Sequence, residues 1–323
     1  MQNADAIVVG GGPAGSTCAW KLRREGLDVL VLDRAQFPRH KLCAGWVTPE
    51  SMANLELVED DYPLSFMSFD KLHLHYKVLT ARPATRQHSI RRFEFDDFLL
   101  RRSGATVIQH KVIDIRRAGS DFIIDNRYRC KYLVGAGGTA CPVYRRLFEE
   151  RNPRNHALQT ATYEQEFAYQ WDNGECHLWF FDDGLPGYAW YVPKANGYLN
   201  IGLGGMAEKL KRRGGRVQDY WRGFVSRLEH HGLLRVHDLH PTGYSYYLRG
   251  RSDLVADSNA FLVGDAAGLA THDLCEGIGP AVQSGLLAAD AIVSGRDYSL
   301  STVTKLSGNS IVSKILQRAF AGE

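Results

Sequence analysis

The sequence predicts a mixed α/β protein in which a parallel-sheet domain is interleaved with an antiparallel-sheet domain. Three observations predict it. The chain opens on a strand, glycine turn, helix and second strand within its first 33 residues. Two later apolar runs, "KYLVGAGG" from Lys131 and "AFLVGDAAG" from Ala260, end in the same kind of turn. Between them lie alternating, aromatic-rich segments of a different period. At 323 residues the chain exceeds the usual single-core limit, so two lobes are expected.

The first element is the apolar run Ala6 to Val9, which enters Gly10-Gly11-Gly12 directly. A helix follows from about Pro13 to Glu25, and the strand "DVLVLD" ends at Asp33. This order is a βαβ unit with parallel strands. "KLHLHYKVL" from Lys71 alternates Leu72, Leu74, Tyr76 and Val78 against His73, His75 and Lys77. Period two marks a half-buried antiparallel strand and places both histidines toward solvent. "ATYEQEFAY", "CHLWFFDD", "GYAWYVPK" and "GYLNIGLGG" continue the strands between about 157 and 205. A helix from Val217 to His230 carries Val217, Tyr220, Trp221, Phe224, Val225 and Leu228 on one face, a core stripe. The expected domains are 1–65, 88–150 and 251–300 for the parallel lobe, and 66–87 and 151–250 for the antiparallel lobe. A short C-terminal helix is expected over 301–323.

Bulk properties exclude several classes. The composition is 44% hydrophobic and 23% charged, that of a globular protein. A net charge of +3 is no nucleic-acid signature, and the cluster "KLKRRGGR" from Lys209 to Arg216 reads as a solvated loop. "MQNADAIVV" lacks a basic region, so no signal peptide is expected. No uncharged apolar run reaches the roughly 20 residues of a membrane span. The six cysteines form no C-x-x-C pair and no metal spacing, which points to reduced thiols in the cytoplasm and to no metal site. Peripheral membrane contact stays open.

Gly10, Gly12 and Gly15 make G-x-G-x-x-G between a strand and a helix, the Rossmann-like arrangement. The first permits the tight turn, the second lets backbone approach a pyrophosphate, and the third lets helix and strand pack closely. The helix N-terminus offers free N–H groups and about half a positive charge to phosphates. Asp33, at the end of the next strand, can accept both ribose hydroxyl protons, which favours FAD or NAD over a 2′-phosphorylated cofactor. The second loop decides for FAD. Asp265, after Gly264, can bind ribityl hydroxyls, and the helix starting near Gly279-Pro280 can aim its positive end at the flavin ring.

Five segments carry a resemblance: "GGGPAGSTCAW", "FPRHKLCAGWVTP" from Phe37, "IRRFEFDDFLLRR" from Ile90, "GYAWYVPKANGYLNIGLG" from Gly187 and "GDAAGLATHDLCEGIGPAV" from Gly264. Together they resemble the geranylgeranyl reductase family, within the glutathione-reductase-like flavoproteins of the hydroxylase superfamily. The resemblance implies a Rossmann-like FAD-binding domain interleaved with an antiparallel-sheet substrate domain. It implies that Ala14 and Asp33 contact the adenylate half of FAD and that Cys43, Ala44 and Gly45 lie along the flavin. Arg92 would reach the phosphates or ribityl, Val112 the adenine through its backbone, and Asp265, Gly277 and Ile278 the ribityl and ring. Tyr188, Trp190 and Pro193 match the family's Y-x-W-x-F-P substrate floor, with Val192 in place of Phe. Two departures stand in the last motif: His272 replaces a proline, and Cys275 replaces a glycine. The chain also stops soon after Phe320, so the C-terminal cover of the substrate is expected to be reduced.

The expected reaction is reduction of carbon–carbon double bonds in a prenyl chain by hydride from reduced flavin. Cys43 is the candidate proton donor, since a shielded thiol can protonate a developing carbanion. The substrate would be an apolar small molecule, an isoprenoid. No second complete G-x-G-x-x-G unit is present, so an external donor such as NADPH or ferredoxin is expected. The alternatives are a flavin monooxygenase or halogenase and a non-catalytic FAD-binding redox protein. Halogenases carry W-x-W-x-I-P, and Tyr188 stands at the first Trp.

Overall fold

The computed structural model describes residues 1–212, 216–235, 238–250 and 254–307. The chain divides into two compact units. One comprises Met1–Arg39, Phe93–Asn155 and the described residues from Tyr246 on, and the other comprises His40–Arg92 and His156–Ser245.

The first unit is built on a sheet with strand order Ala256–Asp257, Ala260–Leu262, Tyr128–Gly135, Gln2–Val9, Val29–Asp33 and Thr106–Gln109. Four of the five pairings in this order are parallel, and the Ala256–Asp257 edge is antiparallel. Ile7, Val8, Leu30, Val31, Leu133 and Val134 are all buried, as expected of a parallel sheet covered on both faces. Ala6 and Val8 pack with Ala14, Cys18 and Leu22 of the Pro13–Arg24 helix and Ala281, Ala288 and Ile292 of the Ile278–Ser294 helix. Ile7, Leu30 and Leu32 face the other way, onto Phe122, Val143 and Phe148.

In the second unit, strands run in the order Gln159–Ala168, Tyr198–Met206, Gly187–Lys194, Cys176–Phe180, Phe66–Tyr76, Ala84–Ile90 and Trp46–Val47. The sheet is antiparallel except at one pair, Cys176–Phe180 against Phe66–Tyr76, which is parallel and departs from the expected pattern. The Val217–His230 helix covers one face, packing Trp221, Phe224 and Leu228 on Trp179, Tyr191, Leu199, Ile201 and Leu203. Segment 40–65, expected with the parallel lobe, groups with this unit because Trp46–Val47 pairs with Ala84–Ile90.

Three further expectations are corrected. His73 is 5% exposed, while Val78 is 96% exposed at the turn where Lys77 takes φ +54°. The His177 ring and the Glu175 carboxylate pack beside His73, a long-range contact that periodicity alone could not reveal. The basic cluster begins on a short helix, Ala207–Arg212, with 213–215 outside the described residues. Residues 301–307 form turns and bends without a helix, and the rest of the expected C-terminal helix lies outside the described residues.

Candidate functional site

The first unit presents a cradle at the end of its parallel strands. Gly10 takes φ +113°, and a Cβ there would lie 2.4 Å from the Ala136 carbonyl oxygen. A Cβ on Gly15 would lie 1.9 Å from the Gly10 oxygen, so helix and turn meet at a distance no side chain allows. Gly12 differs. The nearest group to a Cβ there is an Arg39 guanidinium nitrogen at 3.4 Å, so its outer side is open to a ligand. Gly12 also caps the helix without any side-chain hydrogen bond, with Pro13 at the first position. First-turn N–H groups have no acceptor within their own helix and attract anions. Arg39, which sequence reasoning did not single out, lies 4.7 Å from the Phe37 ring centroid and 3.2 Å from the buried Asp96 carboxylate. Asp33 accepts N–H from Gly11 at 2.7 Å and from Ala35 at 2.8 Å, one on each oxygen. Each oxygen keeps a further lone pair, and the two backbone bonds fix the carboxylate's direction. Val112 is buried after the Thr106–Gln109 strand, its side chain in the core.

The second glycine turn arrives at the same place. A Cβ on Gly264 would sit 3.0 Å from the Ala14 Cβ, so the two turns converge. Arg154 ties the Gly264 turn to the turn that follows the Tyr128–Gly135 strand, donating to the oxygens of Thr139 at 2.5 Å, Ala266 at 3.1 Å and Asp265 at 3.4 Å. Asp265 Oδ1 lies 3.4 Å from where a Cβ on Gly277 would be, at the N-terminus of the helix that begins at Ile278. Glu276 accepts the Gly279 N–H at 2.7 Å, and burial pushes its carboxyl up to about 7. Of the two departures, His272 donates from Nε2 to the Arg249 oxygen at 2.6 Å, a structural tie. Cys275 takes φ +54°, the left-handed conformation that a glycine adopts without strain. Its thiol is pushed up to about 12 by burial and is therefore protonated and inert. These donors and the open glycine backbone fit an anionic dinucleotide.

In the second unit, the sheet face opposite the Val217–His230 helix carries a buried polar network. Register places Glu164, Gly202 and Trp190 side by side on three adjacent strands. The Trp190 ring would lie 2.3 Å from a Cβ on Gly202, so the missing side chain admits the indole. Trp190 Nε1 donates to Asn200 Oδ1 at 2.6 Å, and Asn200 Nδ2 donates to Glu164 at 3.2 Å. Burial pushes the Glu164 carboxyl up to about 7. Lys194, fully buried, donates to the oxygens of Ala44 and Ile90, each at 2.6 Å, and lies 3.7 Å from Glu166. Burial lowers its pKa despite those carboxylates.

This network positions Cys43, Ala44 and Gly45. Asn200 Nδ2 reaches the Cys43 oxygen at 3.4 Å, and the Gly45 N–H donates to the Cys43 sulfur at 3.3 Å. Gly45 takes φ +67°, and a Cβ there would lie 2.0 Å from the Ile90 oxygen. Tyr188 sits 5.6 Å from Trp190 and 5.5 Å from Phe180. Pro193 is buried, with its carbonyl accepting from Ser89 at 2.7 Å. Arg92 is 8% exposed at the start of the Arg92–Arg102 helix. Lys194, Glu164 and Asn200 were missed by sequence reasoning. The only signal was a lysine following Pro193 and acidic residues at alternate positions of a strand.

Residues 8–50 match the family described as NAD(P)-binding Rossmann-like domain. The chain is 31% identical to an uncharacterised protein from Methanosarcina barkeri, over 91% of this chain and 76% of that protein. It is 29% identical to menaquinone reductase from Mycolicibacterium smegmatis, over 94% of this chain and 80% of that one. It is 23% identical to digeranylgeranylglycerophospholipid reductase 3 from Methanosphaera stadtmanae, over 93% and 80%. In fold it is similar to a geranylgeranyl bacteriochlorophyll reductase-like structure from Thermoplasma acidophilum, with TM-score 0.76, 19% identity, and coverage of 91% and 79%. With both glycine turns, the aromatic strand and relatives of this kind, the chain belongs to the geranylgeranyl reductase-like family of FAD-dependent oxidoreductases.

Proposed function

We propose that the protein binds FAD and reduces carbon–carbon double bonds in the prenyl chain of an apolar lipid, with electrons from an external donor. The observation that carries this reading is the fixing of the Cys43–Gly45 segment by Lys194 and Asn200 on the sheet face that holds Trp190. A relative named for a digeranylgeranyl lipid supports the substrate class.

Gly12, the first turn of its helix and Arg39 would hold the pyrophosphate, Asp33 the adenosine ribose, and Asp265 with the Ile278 helix terminus the ribityl and ring. Bound there and reduced, FAD would supply a hydride equivalent to one alkene carbon. The other carbon needs a proton, and the Cys43 thiol is assigned to deliver it. Its sulfur is oriented by the Gly45 N–H. Tyr188, half-buried against the buried Trp190, would offer apolar surface to the chain, worth roughly 0.8 kcal/mol per buried CH₂.

The test is anaerobic incubation of the flavin-loaded, chemically reduced protein with a digeranylgeranyl lipid, followed by mass spectrometry. The expected product gains two hydrogens for each double bond reduced. Cys43→Ala should keep its flavin and lose about 10²- to 10⁴-fold in turnover. No gain of hydrogen under these conditions, with a hydroxylated or halogenated product when the same reduced protein is given oxygen and halide, would overturn this reading and establish the monooxygenase or halogenase alternative.

A further inference from the structure

His73 and His177 stand directly opposite each other on the neighbouring parallel strands Phe66–Tyr76 and Cys176–Phe180, so their rings share one face. Their ring centroids are 4.5 Å apart. Glu175 precedes the second histidine by two positions and reaches the same side. Its carboxylate lies 3.5 Å from His73 Nε2 and 3.7 Å from His177 Nε2. All three ligand atoms fall within 4.8 Å of one another. Those separations are long for hydrogen bonds. They are near the roughly 3.4 Å expected between ligands of a tetrahedral ion bound at about 2.0–2.1 Å.

A second observation points the same way. His177 is 8% exposed, and its Nε2 is buried with no hydrogen-bond partner. Buried polar nitrogens in folded proteins are seldom left in this state. The opposite ring nitrogen, Nδ1, lies 3.0 Å from His75 Nε2, and His75 Nδ1 lies 3.2 Å from the Thr80 hydroxyl. Of the two proton assignments that satisfy this chain, one frees His177 Nε2 to bind an ion. His177 donates from Nδ1 to His75, and His75 donates from Nδ1 to Thr80. The His177 Nε2 lone pair is then left facing Glu175. This is the outer-shell arrangement that sets the tautomer of a metal-binding histidine. Trp179 stacks on both rings, 4.8 Å from His75 and 5.4 Å from His177, which restrains their rotation.

We propose that His73, Glu175 and His177 bind a divalent transition ion, Zn²⁺, through two imidazoles and one carboxylate. The donor set suits a borderline ion and not the oxygen cages of calcium or magnesium. Glu175 is 46% exposed on its side chain, so the site opens to water and a water molecule completes the coordination.

The experiment uses the full-length, flavin-loaded protein, stripped with a chelator and titrated with Co²⁺ and then Zn²⁺. Binding is followed by calorimetry and by Co²⁺ quenching of Trp179 emission, with Trp179→Phe identifying that signal. Saturation at one ion per chain is expected, with Zn²⁺ displacing Co²⁺. Glu175→Gln and His73→Asn should each weaken binding by at least about tenfold. Glu175→Gln changes an exposed side chain, and circular dichroism checks its fold. No saturable binding, or equal affinity in a folded Glu175→Gln protein, would overturn the assignment.

Discussion

Replacing Glu164 by glutamine should abolish one component of the protein's stability loss toward alkaline pH. Burial raises the Glu164 carboxyl from 4.5 to about 7. Between those values the folded protein holds a proton that the unfolded chain has released. The folded state then binds more protons than the unfolded state, so stability falls as pH rises through this window and levels off above it. At about 1.4 kcal/mol for each pH unit of that window, the full effect is roughly 3 kcal/mol. The glutamine of a Glu164→Gln variant is neutral at every pH, and its amide oxygen can still accept from Asn200 Nδ2, as Glu164 does at 3.2 Å. Urea unfolding of both proteins between pH 4.5 and 8 measures the difference. The two should be nearly equally stable at the acid end, and the variant should gain up to about 3 kcal/mol over the parent above pH 7. Glu276 is shifted in the same direction, but it is present in both proteins and cancels. Stability curves that stay parallel across the range would refute the reasoning.

Two further changes probe the framework. Lys194→Met leaves the Ala44 and Ile90 carbonyls without their 2.6 Å donor, while Glu166 keeps its ion pair with Arg91 at 2.9 Å. Urea unfolding at neutral pH should register a loss of about 2–5 kcal/mol from two carbonyls left unsatisfied, and a loss under about 1 kcal/mol would show that the lysine does not hold the segment. Gly15→Ala forces a Cβ to 1.9 Å from a backbone oxygen, so the purified protein should lack flavin absorbance. A variant that retains stoichiometric flavin would show that the turn can move aside.

What lay open in the sequence was whatever a short stretch of chain decides by itself. The strand, glycine turn and helix from Gln2 to Arg24 follow from an apolar run, residues free to take a tight turn, and Pro13 at a first helical position. The Val217–His230 helix follows from its 3.6-residue apolar period, and Trp221, Phe224 and Leu228 are buried on it. The family likeness also rests on such local segments, each readable without the rest.

Only the tertiary structure decided which faces are covered and which distant residues meet. The alternation around His73 placed the histidines toward water, whereas pairing with Cys176–Phe180 sets the His177 ring 4.5 Å from His73, which is 5% exposed. Glu164 and Asn200 are 36 residues apart, and Lys194 and Ala44 are 150 apart, yet strand register and chain crossing bring them into hydrogen-bond contact. Their altered proton affinities have the same origin. Desolvation depends on everything packed around a group, so a carboxyl with pKa about 7 cannot be recognised from its neighbours in sequence. Periodicity specifies that a residue points to one side of a strand, whereas long-range packing determines whether that side meets water, a lysine or another histidine.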